Sequence, residues 1–238
     1  MIMAGKRYAN AESKFNKADM YSPHEAVELV KSMAPAKFDE SVDAAFQLGI
    51  DPKKADQNVR GTVSLPHGTG KDVKVLVFAE SDQARDAEAA GADVVGGKEL
   101  VEEIAGGRAL DWDITIATPD LMAEVGKLGR VLGPRSLMPN PKAGTVTAEV
   151  GKAVEAFKAG RVEYRNDRYG NVHVAIGKAS FELSQLRENL AAISAEIVRS
   201  RPPSAKGRYI RKLGLSSTMG PGVKVDPSQI DALITDPS

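Results

Sequence analysis

The sequence predicts an α/β protein, an α+β outer domain with a three-layer α/β domain inserted into it. Three observations predict this architecture. Half-buried strand patterns with period two occupy the first sixty-odd residues, as in SVDAAFQL (41–48). From Lys71 the pattern changes to a nearly continuous apolar strand, VKVLVFA (73–79), followed by alternating helices and strands. After Gly160 the half-exposed strands return, in RVEYRND and NVHVAIG. A strand exposed on one face alternates, whereas a strand covered by helices on both faces reads as an unbroken apolar run.

The elements follow in order. Residues 22–34 place Ala26, Val27, Val30 and Met33 near helical period, with Ser22 as N-cap and Pro23 at the first helical position. Val42, Ala44, Phe46 and Leu48 then alternate with Ser41, Asp43, Ala45 and Gln47, a strand buried on one face. VRGTVSL (59–65) is a second strand, stopped by Pro66. In the middle segment a helix at 82–90, a short strand at Asp93–Val95, a helix at 98–105, the strand WDITIAT (112–118) and a helix opened by Thr118 and Pro119 follow VKVLVFA. That alternation predicts βαβ units in a doubly wound sheet. Beyond Gly160 two strands are joined by a turn containing Tyr169-Gly170, an amphipathic helix spans 184–200 and ends before Pro202-Pro203, and GRYIRKLGLSST is the last strand. The expected division is therefore a discontinuous outer domain, 1–68 and 159–238, holding an inserted domain of 69–158. The crossings PHGTGK (66–71) and KAG (158–160) are rich in glycine and turn formers, as a hinge requires.

Composition narrows the function. A chain of 238 residues with 42% hydrophobic and 27% charged side chains reads as soluble and globular, large enough for two modest cores. It has no cysteine, which excludes disulfides and thiolate-held metals, and His24, His67 and His173 are scattered, so no metal site is expected. The polar first twenty residues lack the apolar region of a signal peptide and no apolar run is long enough to span a bilayer, so no membrane association and a cytoplasmic location are expected. Thirty-two basic residues balance thirty-two acidic ones, but unevenly along the chain. Residues 71–157 hold ten basic against fifteen acidic, a net of −5, whereas 158–212 hold twelve against five, a net of +7. That concentrated positive field suits a nucleic-acid partner.

A dinucleotide site is not expected in the insert. VKVLVFA runs into Glu80-Ser81-Asp82 with no G-x-G-x-x-G, and acidic residues have the wrong sign for a phosphate, so no cofactor is expected. The loop GPRSLMPNPKAGT (133–145) has its shape fixed by three prolines and lies beside Arg130, Arg135 and Lys142, either a rigid basic edge for phosphates or a structural connection. Phe38, between Lys37 and Asp39-Glu40, either stacks on a base or staples into the core. Thr218-Met219-Gly220-Pro221-Gly222 is either a turn whose backbone approaches a partner or a plain surface turn. RNDRYG adds Arg165, Arg168 and Tyr169 at a strand turn, a basic and aromatic pairing suited to RNA. An enzyme would need converging titratable groups, which the scattered Asp and Glu do not offer. A protein-interaction scaffold is the second reading, separated by whether its co-purification depends on RNA.

GIDPKKADQNVRGTVSLPHGTGK, GADVVGG, ATPDLM, GPRSLMPNPKAGTV, RNDRYG, GKASF and TMGPG, in this order and over nearly the whole chain, resemble the bacterial large-subunit ribosomal protein of the L-one family. The resemblance implies a non-catalytic outer domain that binds large-subunit rRNA and a Rossmann-like insert that moves with the stalk beside the tRNA exit site. It places RNA contacts on Lys37, Phe38, Glu40 and Ser41, on Arg165, Asp167 and Arg168, and on Thr218, Met219 and Gly220. It further implies contact with exit-site tRNA, repression of translation through the chain's own operon mRNA, and a single copy among the other ribosomal components. Ser136 departs from the family's glycine after Pro-Arg, and a positive φ required there would strain the loop.

Overall fold

The computed structural model describes residues 5–236. By its internal contacts the chain divides into two compact units, one running up to Gly70 and again from Val162, the other Lys71–Arg161.

In the first unit, α1 (Lys6–Glu12) precedes α2 (Pro23–Ser32). Ser22 caps α2 in a reciprocal capping box: its hydroxyl accepts from Glu25 N while the Glu25 carboxylate accepts from Ser22 N. The strands are β1 (Ser41–Leu48) and β2 (Arg60–Ser64).

The insert then supplies β3 (Val75–Phe78), α3 (Ser81–Ala89), β4 (Val94–Gly96), α4 (Lys98–Ala105) and β5 (Ile114–Ala117). Short helical pieces follow, including α5 (Met122–Val125) and α6 (Gly129–Leu132), and α7 (Val150–Lys158) closes the unit. Its sheet is parallel, in the order β4-β3-β5. Every residue of β3 is buried, and consecutive side chains enter different cores. Leu76 and Phe78 pack with Leu100, Val101 and Ile104 of α4, while Val75 and Val77 pack with Val150, Val154 and Phe157 of α7. Helices thus cover both faces, three layers in all, which is why this strand needs no polar positions. The helix expected after Thr118-Pro119 is instead a chain of short α and 3-10 turns from Pro119 to Arg135, because Gly126, Gly129 and Gly133 recur too often for one continuous helix.

The first unit resumes with β6 (Arg161–Arg165), β7 (Asn171–Lys178), α8 (Leu183–Arg199), β8 (Ile210–Ser217), β9 (Val223–Val225) and α9 (Ile230–Thr235). Four strands form a sheet in the order β7-β1-β8-β9, antiparallel throughout, while β2 pairs with β6. The two strands joined by the Tyr169-Gly170 turn therefore belong to different sheets, linked only by the bridge between Asn166 and Val172. One face of the large sheet carries Val42, Ala44, Phe46 and Leu48, packed with α2, α8 and α9 through Val27, Val30, Leu186, Leu190, Ile193 and Leu233. Burying one such aliphatic or aromatic side chain stabilises by about 1.5–3 kcal/mol. The opposite face carries half-exposed Ser41, Asp43, Ala45 and Gln47 of β1, Ala175 of β7, and Gly214 and Ser216 of β8, with His173, Lys212 and Lys224 exposed. It is flat because its central side chains are small.

Asn189 of α8, fully buried, holds the chain that leads out of this unit. Its Oδ1 accepts from His67 N at 3.1 Å, and its Nδ2 donates to Gly68 O and Ile176 O at 2.9 and 2.8 Å. Every hydrogen-bonding group of that amide useful in the core is thereby satisfied.

Candidate nucleic-acid interface

Antiparallel pairing of β1 with β8 sets Val42 opposite Ser217, so the residues just outside the ladder, Ser41 and Thr218, lie side by side although 177 positions apart. Ser41 N donates to Thr218 Oγ1 at 3.0 Å, and Thr218 N donates to Ser41 O at 3.0 Å. Lys178 Nζ, from the other flanking strand, donates to Ser41 Oγ at 3.0 Å.

Glu40 locks the two loops together. It is 1% exposed, its Oε1 accepts from Ala36 N at 2.7 Å and its Oε2 accepts from Met219 N at 2.8 Å. With each oxygen accepting from a backbone donor, Glu40 positions its neighbours on either loop. Gly220 completes the turn, since a Cβ there would sit 2.4 Å from Ser217 Oγ and 3.3 Å from Met33 O. The loops so held project Lys37, Phe38, Thr218 and Met219 outward, with Phe38 57% and Met219 58% exposed. Phe38 is thus no core staple. Asp39 beside it is occupied, accepting from Ser180 N and Oγ at 3.0 and 2.7 Å.

The third cluster lies elsewhere. Leu48 N, at the far end of β1, donates to Gly170 O at 2.8 Å, so the 165–170 turn sits at the opposite end of the sheet from Ser41. Seven strand steps separate the two ends, about 23 Å at ~3.3 Å per residue. The sequence-predicted residues therefore form two groups that bracket the flat face rather than one patch. Between them Asp43 is pushed up by burial, against the pull of His173 and Lys178.

At the far turn Arg165 and Arg168 are exposed, and the Arg168 guanidinium lies 5.0 Å from the centre of the exposed Tyr169 ring. Asp167 builds the turn. Its Oδ1 accepts from Tyr169 N and Asn171 N at 2.7 and 2.8 Å, and its Oδ2 accepts from Asn171 Nδ2 at 3.0 Å. Burial alone would push its carboxyl up, but these bonds from Asn171 and Tyr169 prevail and hold it below the usual carboxylate range. A depressed acid stabilises the fold above its unfolded-state value and loses that contribution as pH falls through the folded one. Asp167→Ala is expected to cost about 1–2 kcal/mol at neutral pH, from the lost charge-assisted bonds. In urea melts the gap between the two proteins should narrow as pH falls below the ordinary Asp range, about 3.9, and through the lower folded-state value. A gap that persists unchanged there would assign the effect to packing.

In the insert, Arg130, Arg135 and Lys142 are all exposed, and none pairs with an acid among the described residues. Their loop is stiff. Thr145 Oγ1 accepts from Asn140 N, Asn140 Oδ1 accepts from Lys142 N, both at 2.8 Å, and Thr145 O accepts from Ala117 N of β5 at 2.9 Å. Ser136, at the position of the expected glycine, has φ 59° and ψ 22°, the left-handed region, and its strain is the cost of a side chain there. Asn189, Asn166 and Lys178 were not singled out by sequence reasoning. Asn166 accepts from Val59 N at 2.7 Å and donates to Asp167 O at 2.9 Å, joining β2 to the far turn.

No cluster of three or more His, Cys, Asp or Glu suited to a metal occurs among the described residues, and no described helix is long and apolar enough to cross a membrane. What the chain presents is two rigid, cation-bearing groups of loops at the ends of a flat face, with Phe38 and Met219 exposed at one and Tyr169 at the other.

The sequence model of the ribosomal protein L1p/L10e family matches residues 30–221, which include every one of these loops. The large ribosomal subunit protein uL1 of Nocardioides sp. is 57% identical over 228 residues, covering 96% of this chain and 95% of its own. The protein of the same name from Cutibacterium acnes is 59% identical over 222 residues, 93% and 95% of the two chains, and that from Streptomyces avermitilis 53% over 236, 99% and 98%.

Proposed function

Because the chain belongs to the ribosomal protein L1p/L10e family, we propose that it is a structural, non-enzymatic component of the large ribosomal subunit in the cytoplasm, and that its first unit binds large-subunit rRNA directly. The observation that carries the reading is the Glu40 lock. Two segments 179 residues apart are fastened by one buried carboxyl group so that Phe38 and Met219 stand exposed together with Lys37 and Thr218. Exposed apolar side chains gathered on one rigid frame and rimmed by polar groups mark an interaction surface. An aromatic ring and a thioether beside hydroxyl and ammonium donors suit an unstacked base and its phosphate.

The insert has a different part. Its net charge is negative, so the edge formed by Arg130, Arg135 and Lys142 is its obvious place for a phosphate contact. It serves the mobile stalk at the exit site and assists release of deacylated tRNA. The surface that recognises rRNA also serves the chain's own operon mRNA, where the same shape represses translation.

Alanine at Phe38 or Met219 tests the reading. Loss of one stacking partner is expected to weaken binding to an rRNA fragment by about 1–3 kcal/mol, roughly tenfold or more. The thermal melt should move little, since exposed positions away from special features change stability by less than about 0.5 kcal/mol. Unaltered affinity in both variants would remove these tips from the interface.

A further inference from the structure

β8 buries every second residue from Ser217 back through Leu215 to Leu213. Continued, that alternation would put Arg211 in the core. It does not continue, because the register against β1 slips: Gln47 faces Lys212, Leu48 faces Ile210, and Arg211 is the extra residue of a bulge. The slip resets the phase, so Ile210 enters the core and Arg211 and Lys212, adjacent in sequence, are both exposed. A bulge re-aims side chains in this way, and bulges are over-represented at sheet edges and beside functional sites.

The bulge ends a run unusual for its charge. Residues 199–212 contain six cations and no acid. Two are committed internally, Arg199 to Glu196 and Arg201 to the carbonyls of Ala205 and Gly207. The other four, Lys206, Arg208, Arg211 and Lys212, are exposed and form no ion pair with a described residue. Asp226 lies within the field of Arg208 without an ion pair to it, and its Oδ1 accepts from Ser228 N and Oγ. The backbone beneath is fixed: Gly49 N donates to Tyr209 O at 2.6 Å, and Ala205 N donates to Pro202 O at 3.0 Å. Gathering like charges on a stiff scaffold costs free energy in the absence of an anion. No large apolar side chain is exposed between 199 and 212, which argues against an ordinary protein interface. The row Lys212, Gln47, Asn171 runs across three strands from the bulge to the turn bearing Arg168 and Tyr169.

We infer that the β8 bulge is a phosphate-binding element, in which Arg211 and Lys212, flanked by Lys206 and Arg208, hold the sugar–phosphate backbone of RNA at the end of the sheet remote from Phe38. The inference rests on the rRNA-binding reading and adds a site to it. An RNA held here and at Phe38 spans the flat face, and the bulge contributes to its affinity through charge.

The test measures binding of an rRNA fragment to the full chain against salt concentration. In Arg211→Ala/Lys212→Ala, affinity at low salt should fall about tenfold or more, and the slope of log K against log salt should become shallower by about 1 for each cation lost. Arg211→Lys/Lys212→Arg should keep the slope. Lys206→Ala/Arg208→Ala, placed in a loop outside the ladder, gives the same readout should the strand variant fold poorly. Slopes equal to wild type in both alanine pairs overturn the assignment. So does a matching loss of binding to polyglutamate with RNA binding intact, which would make the patch a site for acidic protein. A wild-type chain that binds no RNA overturns the underlying reading, and a wild-type chain that binds RNA through a slope these variants share overturns only the bulge site.

Discussion

Glu40→Gln is expected to destabilise the chain by about 2–3 kcal/mol and to lower the affinity of the remaining folded protein for rRNA by about tenfold or more. The substitution conserves size and changes one oxygen to an NH2 group. That group would face a buried N–H, of Ala36 or of Met219, which the carboxyl oxygens now satisfy at 2.7 and 2.8 Å. Two donors then oppose each other at a site 1% exposed, where water cannot intervene. The loop that loses its partner moves, and either Phe38 or Met219 leaves its place. Glu40→Ala should be worse for stability, since both donors are orphaned. Denaturant melts and titration of an rRNA fragment, corrected for the folded fraction, check both effects. A stability loss with wild-type affinity would reduce Glu40 to a core residue with no bearing on the interface.

How much of this was legible in sequence depends on how local the cause is. The cap of α2 and the alternation in β1 were, because Ser22-x-x-Glu25 and SVDAAFQL carry their reasons within a few residues. The unbroken burial of VLVF was legible for the same reason, and with it the helix-covered parallel sheet and the α/β class. Phe38 and the TMGPG turn stood out as odd sequences for solvent-facing positions. Their union through Glu40 did not, since a hydrogen bond across 179 residues leaves no periodic trace. That Glu40 is buried with a backbone donor on each oxygen was not legible either. The bulge at Arg211 was hidden because GRYIRKLGLSST reads as one strand, and a single inserted residue shifts phase without altering composition. α7 was missed although Val150, Ala153, Val154 and Phe157 repeat at helical spacing, a signal masked by the proline- and glycine-rich loop before it. How far the 165–170 turn lies from Phe38 was not legible either, since only the register of β1 sets them a strand's length apart.

Removing residues 71–157 and bridging the gap with a short glycine linker is expected to leave a cooperatively folding chain that binds rRNA at least as tightly as the full protein at low salt. The core of the first unit is complete within its own residues, from Ala11 to Leu65 and from Tyr164 to Leu233, so the deletion takes nothing from it. β2 leads out of this unit and β6 leads back, and the two are hydrogen-bonded neighbours, which keeps the cut ends within reach of a short linker. Asn189 still fastens His67 and Gly68 to α8, so the shortened connection starts from a fixed point. The deleted segment carries a net charge of −5, and its loss removes repulsion from the phosphates. The salt dependence should remain that of a few phosphate contacts, about −0.9 per contact for a duplex, if the turns at either end read shape as well as charge, as the proposed function has it. On the proposed function, what should be lost is the action on exit-site tRNA, since Arg130, Arg135 and Lys142 go with the insert. Calorimetry, an rRNA titration and a tRNA-release assay on ribosomes carrying the shortened chain separate these outcomes. A chain that fails to fold would make the insert part of the first unit's core. A folded chain that no longer binds RNA would move the main rRNA site into the insert, and the division of labour between the units would fall.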